Sequence, residues 1–174
     1  MKTAYRPYTL IAELTHHCPL RCPYCSNPMD SVASDAELDT EAWLRVFDEA
    51  DALGVVQVNL TGGEPLLRED LDRLVERAAE RELYTNLITS GIPLTFERLR
   101  RLKLCGLNSV QVSMQGAREA AADSMAGGFF FSRKLEVMRW VKSLGLPLTM
   151  NAVLHRDNLD EIEEVIRLGE RVGA

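Results

Sequence analysis

The chain has 174 residues, 46% of them apolar and 26% charged, the make-up of one folded domain with a buried core rather than a disordered segment. Its net charge of -6, from 20 basic and 26 acidic side chains, presents no positive field to a phosphate backbone, which excludes nucleic acid as the expected partner. No stretch is apolar for long enough to span a bilayer and Met1 to Glu13 lacks the core of a secretion signal, so a cytoplasmic protein without membrane contact is expected, its four cysteines metal ligands or buried thiols rather than disulfides.

The first predicted strand, Thr9 to Leu14, leads through His16 and His17 into Cys18-Pro19-Leu20-Arg21-Cys22-Pro23-Tyr24-Cys25. Three thiolates so closely spaced, with no fourth cysteine nearby, suit an iron-sulfur cluster that leaves one iron open. A zinc site that recruits His16 or His17 stays open, although neither histidine stands at a zinc-finger spacing. A helix over Thr40 to Leu53 ends at Gly54, and a second strand, Val55 to Leu60, is followed by Thr61-Gly62-Gly63-Glu64-Pro65. Two glycines there allow a sharp turn close to a ligand; Glu64 offers a carboxylate and Pro65 fixes the start of the next turn. By itself that pattern equally describes a plain strand-to-helix turn.

A helix over Glu69 to Arg81 precedes a strand at Tyr84 to Thr89, closed by Ser90-Gly91, and a helix over Thr95 to Leu104 ends near Gly106. Cys105 reads as a small core residue. The fourth strand, Ser109 to Ser113, leads to Gln115 and then to a loop through Gly127-Gly128-Phe129-Phe130-Phe131. A helix over Arg133 to Leu144, Gly145, a strand at Leu148 to Leu154 carrying Asn151, His155 and a helix over Leu159 to Val172 complete the series. Strict alternation of strand and helix predicts a parallel α/β sheet with crossover helices. The polar residues gather where strands lead into helices, at one rim, and bringing five such ends to one site requires curvature. A partial (β/α) barrel is therefore expected in preference to an open doubly wound sheet.

The cysteine triad after the first strand, Gly62-Gly63-Glu64-Pro65 after the second and the polar ends of strands three to five together resemble the radical S-adenosylmethionine (SAM) superfamily. The stretch from Leu14 to Pro28, with Tyr84 to Gly91 and Leu148 to His155, is similar to its PqqE-like, SPASM-type subfamily, which acts in pyrroloquinoline quinone biosynthesis. The resemblance implies a 4Fe-4S cluster on Cys18, Cys22 and Cys25, with SAM chelating the open iron. It implies further that Tyr24 meets the adenine, that Gly62, Gly63, Glu64 and Pro65 shape the methionine end of the site, and that Ser113, Gln115 and Asn151, with Ser90, face the ribose and carboxylate. The implied reaction is reductive cleavage of SAM to a 5'-deoxyadenosyl radical, then a carbon-carbon cross-link between Glu and Tyr side chains of the precursor peptide PqqA. PqqD is the implied peptide chaperone and flavodoxin a representative electron donor. A sulfatase-maturing type of peptide modification, or a non-catalytic metal module, are the alternatives.

Two departures accompany the resemblance. Many relatives carry an arginine for the SAM carboxylate soon after the fourth strand, where this chain reads Ala122-Asp123-Ser124-Met125; Arg118, Arg133 or another group stands in for it, and the role is left unassigned. Residues 1–174 also supply about five of the family's six βα units and no cysteine-rich SPASM-like region, so an incomplete core is expected, with the auxiliary iron-sulfur clusters belonging to the absent region.

Overall fold

A computed structural model describes residues 6–27 and 37–174. Five strands, β1 (Thr9–Glu13), β2 (Gln57–Thr61), β3 (Tyr84–Thr89), β4 (Ser109–Met114) and β5 (Leu148–Ala152), form one sheet, each parallel to the next in chain order. The connections run through α1 (Thr40–Leu53), α2 (Leu71–Glu80), α3 (Phe96–Leu104), α4 (Glu119–Ala126) and α5 (Phe131–Ser143), and α6 (Ile162–Val172) follows β5. A doubly wound sheet reverses its strand order at a switch point; this one never does, so winding proceeds one way round as in a (β/α) barrel.

Side-chain alternation separates the two faces of the sheet. Ala12, Val58, Leu60, Leu87, Val110 and Val112 are fully buried. They meet helices whose apolar residues recur at helical spacing, as in Leu71, Leu74, Val75 and Ala78 of α2. Each fully buried leucine contributes about 1.5–3 kcal/mol. The opposite face is polar: the register lines up Asn59, Asn86 and Ser109. Asn86 Nδ2 donates to Asn59 Oδ1 at 3.0 Å, and Ser109 Oγ to Asn86 Oδ1 at 3.0 Å.

Helix starts follow ordinary capping chemistry. Asp39 accepts from Ala42 N, and Thr95 from Arg98 N. Gly54, Gly106 and Gly145 stand at the ends of α1, α3 and α5 with positive φ, where the sequence places them.

Three expectations need correction. The segment expected as a loop after β4 contains α4, which Gly127 closes at φ 77. Phe131 already belongs to α5, while Phe129 projects into solvent. Strand β5 stops at Ala152, so His155 lies in the loop beyond it, and Cys105 is only half-buried at the edge of the core.

Candidate functional site

The segment after β1 is strapped from several sides. Glu37 accepts from Thr15 Oγ1 at 2.9 Å and from His16 N at 2.8 Å, while Asn27 Nδ2 donates to His16 O at 2.7 Å. Arg68 donates to Leu14 O and forks onto Asp70. Cys25 N donates to Cys22 O at 3.0 Å, a tight turn that reverses the chain between the last two cysteines. Cys18 and Cys22 are half-buried, Cys25 is exposed, and none is in a disulfide.

Against this segment lies the turn after β2. Gly63 N donates to Thr15 O at 2.6 Å and Glu64 N to His17 O at 2.7 Å. A Cβ on Gly63 would meet the His16 carbonyl oxygen at 2.6 Å and that of His17 closer still, and one on Gly62 would meet Thr15 N at 2.9 Å. Gly62 also has φ 129, a region side chains rarely enter. The glycines are thus required by the cysteine segment itself, a constraint additional to any ligand.

Glu64 is wholly buried. Its Oε1 accepts from Leu66 N at 3.1 Å and Thr89 Oγ1 at 2.6 Å, and its Oε2 from Ser90 N at 2.8 Å and the Ser90 hydroxyl. Four donors fill the acceptor positions of the carboxylate. Glu64 and Ser90 together therefore weld the turn after β2 to the end of β3, and Pro65 opens the single helical turn Pro65–Leu67 beneath it.

Of the residues singled out in the sequence, Cys18, Cys22, Cys25, Tyr24, Gly62, Gly63, Ser90, Ser113, Gln115 and Asn151 border one cleft of about 1180 Å³, counting its solvent-open part; Glu64 and Pro65 stand behind its wall. His16 and His17 join its rim. Tyr24 stacks on His155, ring centroids 5.5 Å apart. Burial pushes the Tyr24 phenol up to about 12, with a hydrogen bond from Gln115 opposing it. Burial also raises the thiols of Cys18 and Cys22; the Leu20 backbone opposes this at Cys18, Tyr24 and Lys134 at Cys22. Binding metal as thiolates therefore releases protons here.

Lys134 gives no signal in the sequence, where it reads as one more polar residue of an amphipathic helix. In the structure it is 1% exposed, its Nζ donating to Ser113 O at 2.7 Å and Gln115 Oε1 at 2.6 Å. Burial pushes its pKa down to about 8, with Cys22 and Glu64 the leading charges resisting. Arg118 instead reaches Asp160 and Glu164 on the surface, and Arg133 pairs with Glu136 beside Trp140. Neither arginine borders the cleft; the cation buried behind its wall, against Ser113 and Gln115, is Lys134.

The donor set fits an iron-sulfur cube better than a single ion. Among the described residues no three His, Cys, Asp or Glu side chains converge on one ion-sized point. Three free thiols instead open onto a common cleft, as a cluster of several metals requires.

The family model for the radical SAM superfamily matches residues 12–169. A PqqA peptide cyclase of Ruegeria pomeroyi is 52% identical over 99% of this chain and 46% of its own length. One of Methylocella silvestris is 52% identical over 97% of the chain and 45% of its own length. The chain thus spans about half the length of these curated relatives. In fold it is similar to Streptococcus suis SuiB bound to its precursor peptide SuiA, with TM-score 0.83 and 20% identity over 97% of this chain and 38% of that one. Cysteine triad, Gly-Gly-Glu-Pro turn, one-way parallel sheet and family match agree, and the chain belongs to the radical SAM superfamily.

Proposed function

We propose that the protein containing this chain is a radical SAM enzyme that joins Glu and Tyr side chains of the precursor peptide PqqA by a carbon-carbon bond. The convergence of Cys18, Cys22 and Cys25 with the turn at Gly62 and Gly63 on one cleft carries the reading, and 52% identity over nearly all of the chain to a PqqA peptide cyclase narrows it.

Cys18, Cys22 and Cys25 hold the 4Fe-4S cluster. Bound there with SAM, the cluster supplies the low-potential electron that cleaves the sulfonium and yields a radical able to remove hydrogen from an unactivated carbon. The chain's own residues bind and orient. Gly62 and Gly63, which border the cleft, would hold the methionine end, with Glu64 behind the wall as the nearby negative charge. Tyr24, braced by His155, lies against the adenine. Ser113, on β4, and Asn151, paired with it in register on β5, face the ribose and carboxylate, and Gln115 closes that side. The hydrogen-bonded row of Asn59, Asn86 and Ser109 gives the sheet face away from the helices polar groups suited to a polar substrate such as a peptide.

Residues 1–174 are the SAM-cleaving core of this protein. In our reading auxiliary iron-sulfur clusters belong to the remaining length that the relatives carry, PqqD presents the peptide, and a flavodoxin-type donor in the cytoplasm supplies electrons.

Anaerobic reconstitution is expected to give brown protein with about four irons at this site. Reduced full-length protein given SAM and PqqA should return a peptide lighter by two hydrogens, the balance of joining two C–H carbons. Colourless zinc protein would refute the superfamily chemistry. An unchanged PqqA beside a modified sulfatase-type peptide would refute the substrate.

A further inference from the structure

Lys134 is a buried ammonium whose two hydrogen-bond partners, Ser113 O and Gln115 Oε1, are both uncharged. Among the described residues no carboxylate lies within ion-pair distance of it; Glu64 and Asp123 attract it from farther away. Burying an ammonium without a contact partner of opposite charge is costly, and such groups persist where negative charge is supplied nearby. The same Gln115 amide turns its other end to the cysteines, with Nε2 3.8 Å from Cys22 Sγ. Lys134 holding the carbonyl end fixes which end of the amide faces sulfur, because an ammonium only donates. A line thus runs from the cation through a polarised amide to one cluster ligand.

We propose that Lys134 and Gln115 are positioning residues that set the reduction potential of the cluster through the Cys22 sulfur. An N–H donated to a ligand sulfur, with a fixed positive charge behind it, favours the more negative, reduced state and raises the potential. One electron enters from a low-potential protein donor, and no bond is made or broken in this chain. The role rests on the superfamily chemistry proposed above.

The test is a potential measured in the full-length protein without SAM, following the EPR signal that Cys22→Ala abolishes. Lys134→Met is expected to lower the midpoint by about 59 mV, a tenfold loss in the reduction equilibrium for one electron. Gln115→Leu is expected to lower it too, and the double variant to fall no further than Lys134→Met. Lys134→Arg should restore the wild-type potential. Lys134→Gln, which keeps a donor and removes the charge, guards against a methionine variant that fails to fold. Wild-type potentials in iron-replete variants overturn the role, as does weakened SAM binding with an unmoved potential, which would assign Lys134 to the ligand. Loss of iron from every variant also overturns it, because the role assigned is tuning and not assembly. A wild-type protein that holds no cube refutes the superfamily chemistry instead.

Discussion

Gly63 illustrates how the same residue was legible for one reason and needed for another. Its place in Gly62-Gly63-Glu64-Pro65 marks a ligand turn, yet its missing side chain also makes room for the His16 and His17 carbonyls. Those atoms are backbone and cannot rotate aside. Gly63→Ala is therefore expected to cost at least about 2 kcal/mol and to displace the cysteine segment. Urea unfolding read beside iron content checks this, and an alanine variant with native stability and full iron would contradict it. Lys134 and Arg68 were illegible for the opposite reason: a basic residue on a polar helix face or in a turn looks solvated until the fold closes round it. Arg68 leaves a pH signature through Asp70. Burial alone would raise the Asp70 carboxyl, but hydrogen bonds from Arg68 and Thr40 more than reverse that and hold it below its usual 3.8. A carboxyl lowered on folding stabilises the protein above its unfolded pKa, and the gain disappears as pH falls through the lower folded value. Asp70→Asn should thus cost about 2 kcal/mol near neutrality and progressively less as the pH falls below the usual carboxylate value, in urea titrations across that range.

Among elements, all five strands and five helices were legible because each carries an apolar run or an apolar stripe of the right period. Helix α4 was missed because its Glu-Ala-Ala-Ala stretch sits just before Gly127-Gly128, a signal that reads as loop. What anchors it is not local: Glu161, buried in the loop after β5, accepts from Ala117 N at 2.8 Å and Arg118 N at 3.1 Å. Asn158 in the same loop donates to Gln115 O at 3.1 Å and to Val153 O at 2.9 Å, and accepts from His155 N at 2.8 Å. One loop therefore fixes both the backbone of Gln115 and the loop carrying the His155 ring that braces Tyr24, and a sequence pattern holds no record of such cross-loop bonds. Asn158→Ala leaves the buried Gln115 carbonyl short of a partner, and frees the more exposed Val153 carbonyl and His155 amide, a cost of about 1–3 kcal/mol. Its stability loss should come with faster hydrogen exchange at the Ala117 and Arg118 amides. Unchanged exchange there would mean the two loops are held independently.

For the whole molecule, the unbroken strand order leaves β1 and β5 as edges, each paired on one side only among the described residues. On β1, Ile11 is 65% exposed, and on α6 Ile162 and Ile166 are exposed beside the buried Val165 and Leu168. Helix α6 is thus apolar on more than the stripe it needs to cover this sheet. Unpaired strand edges next to apolar helix surface associate with whatever strand or helix is available. The curated relatives are about twice this length. The 174-residue chain produced alone should therefore self-associate, its sedimentation coefficient rising with concentration. Lys substituted at Ile166 and Ile11 puts charge on both surfaces without touching the cleft, and should return the chain to the monomer mass with its iron content unchanged. A wild-type 174-residue chain that sediments as one monomeric species at every concentration would show that the sheet edges and α6 are already adequately covered.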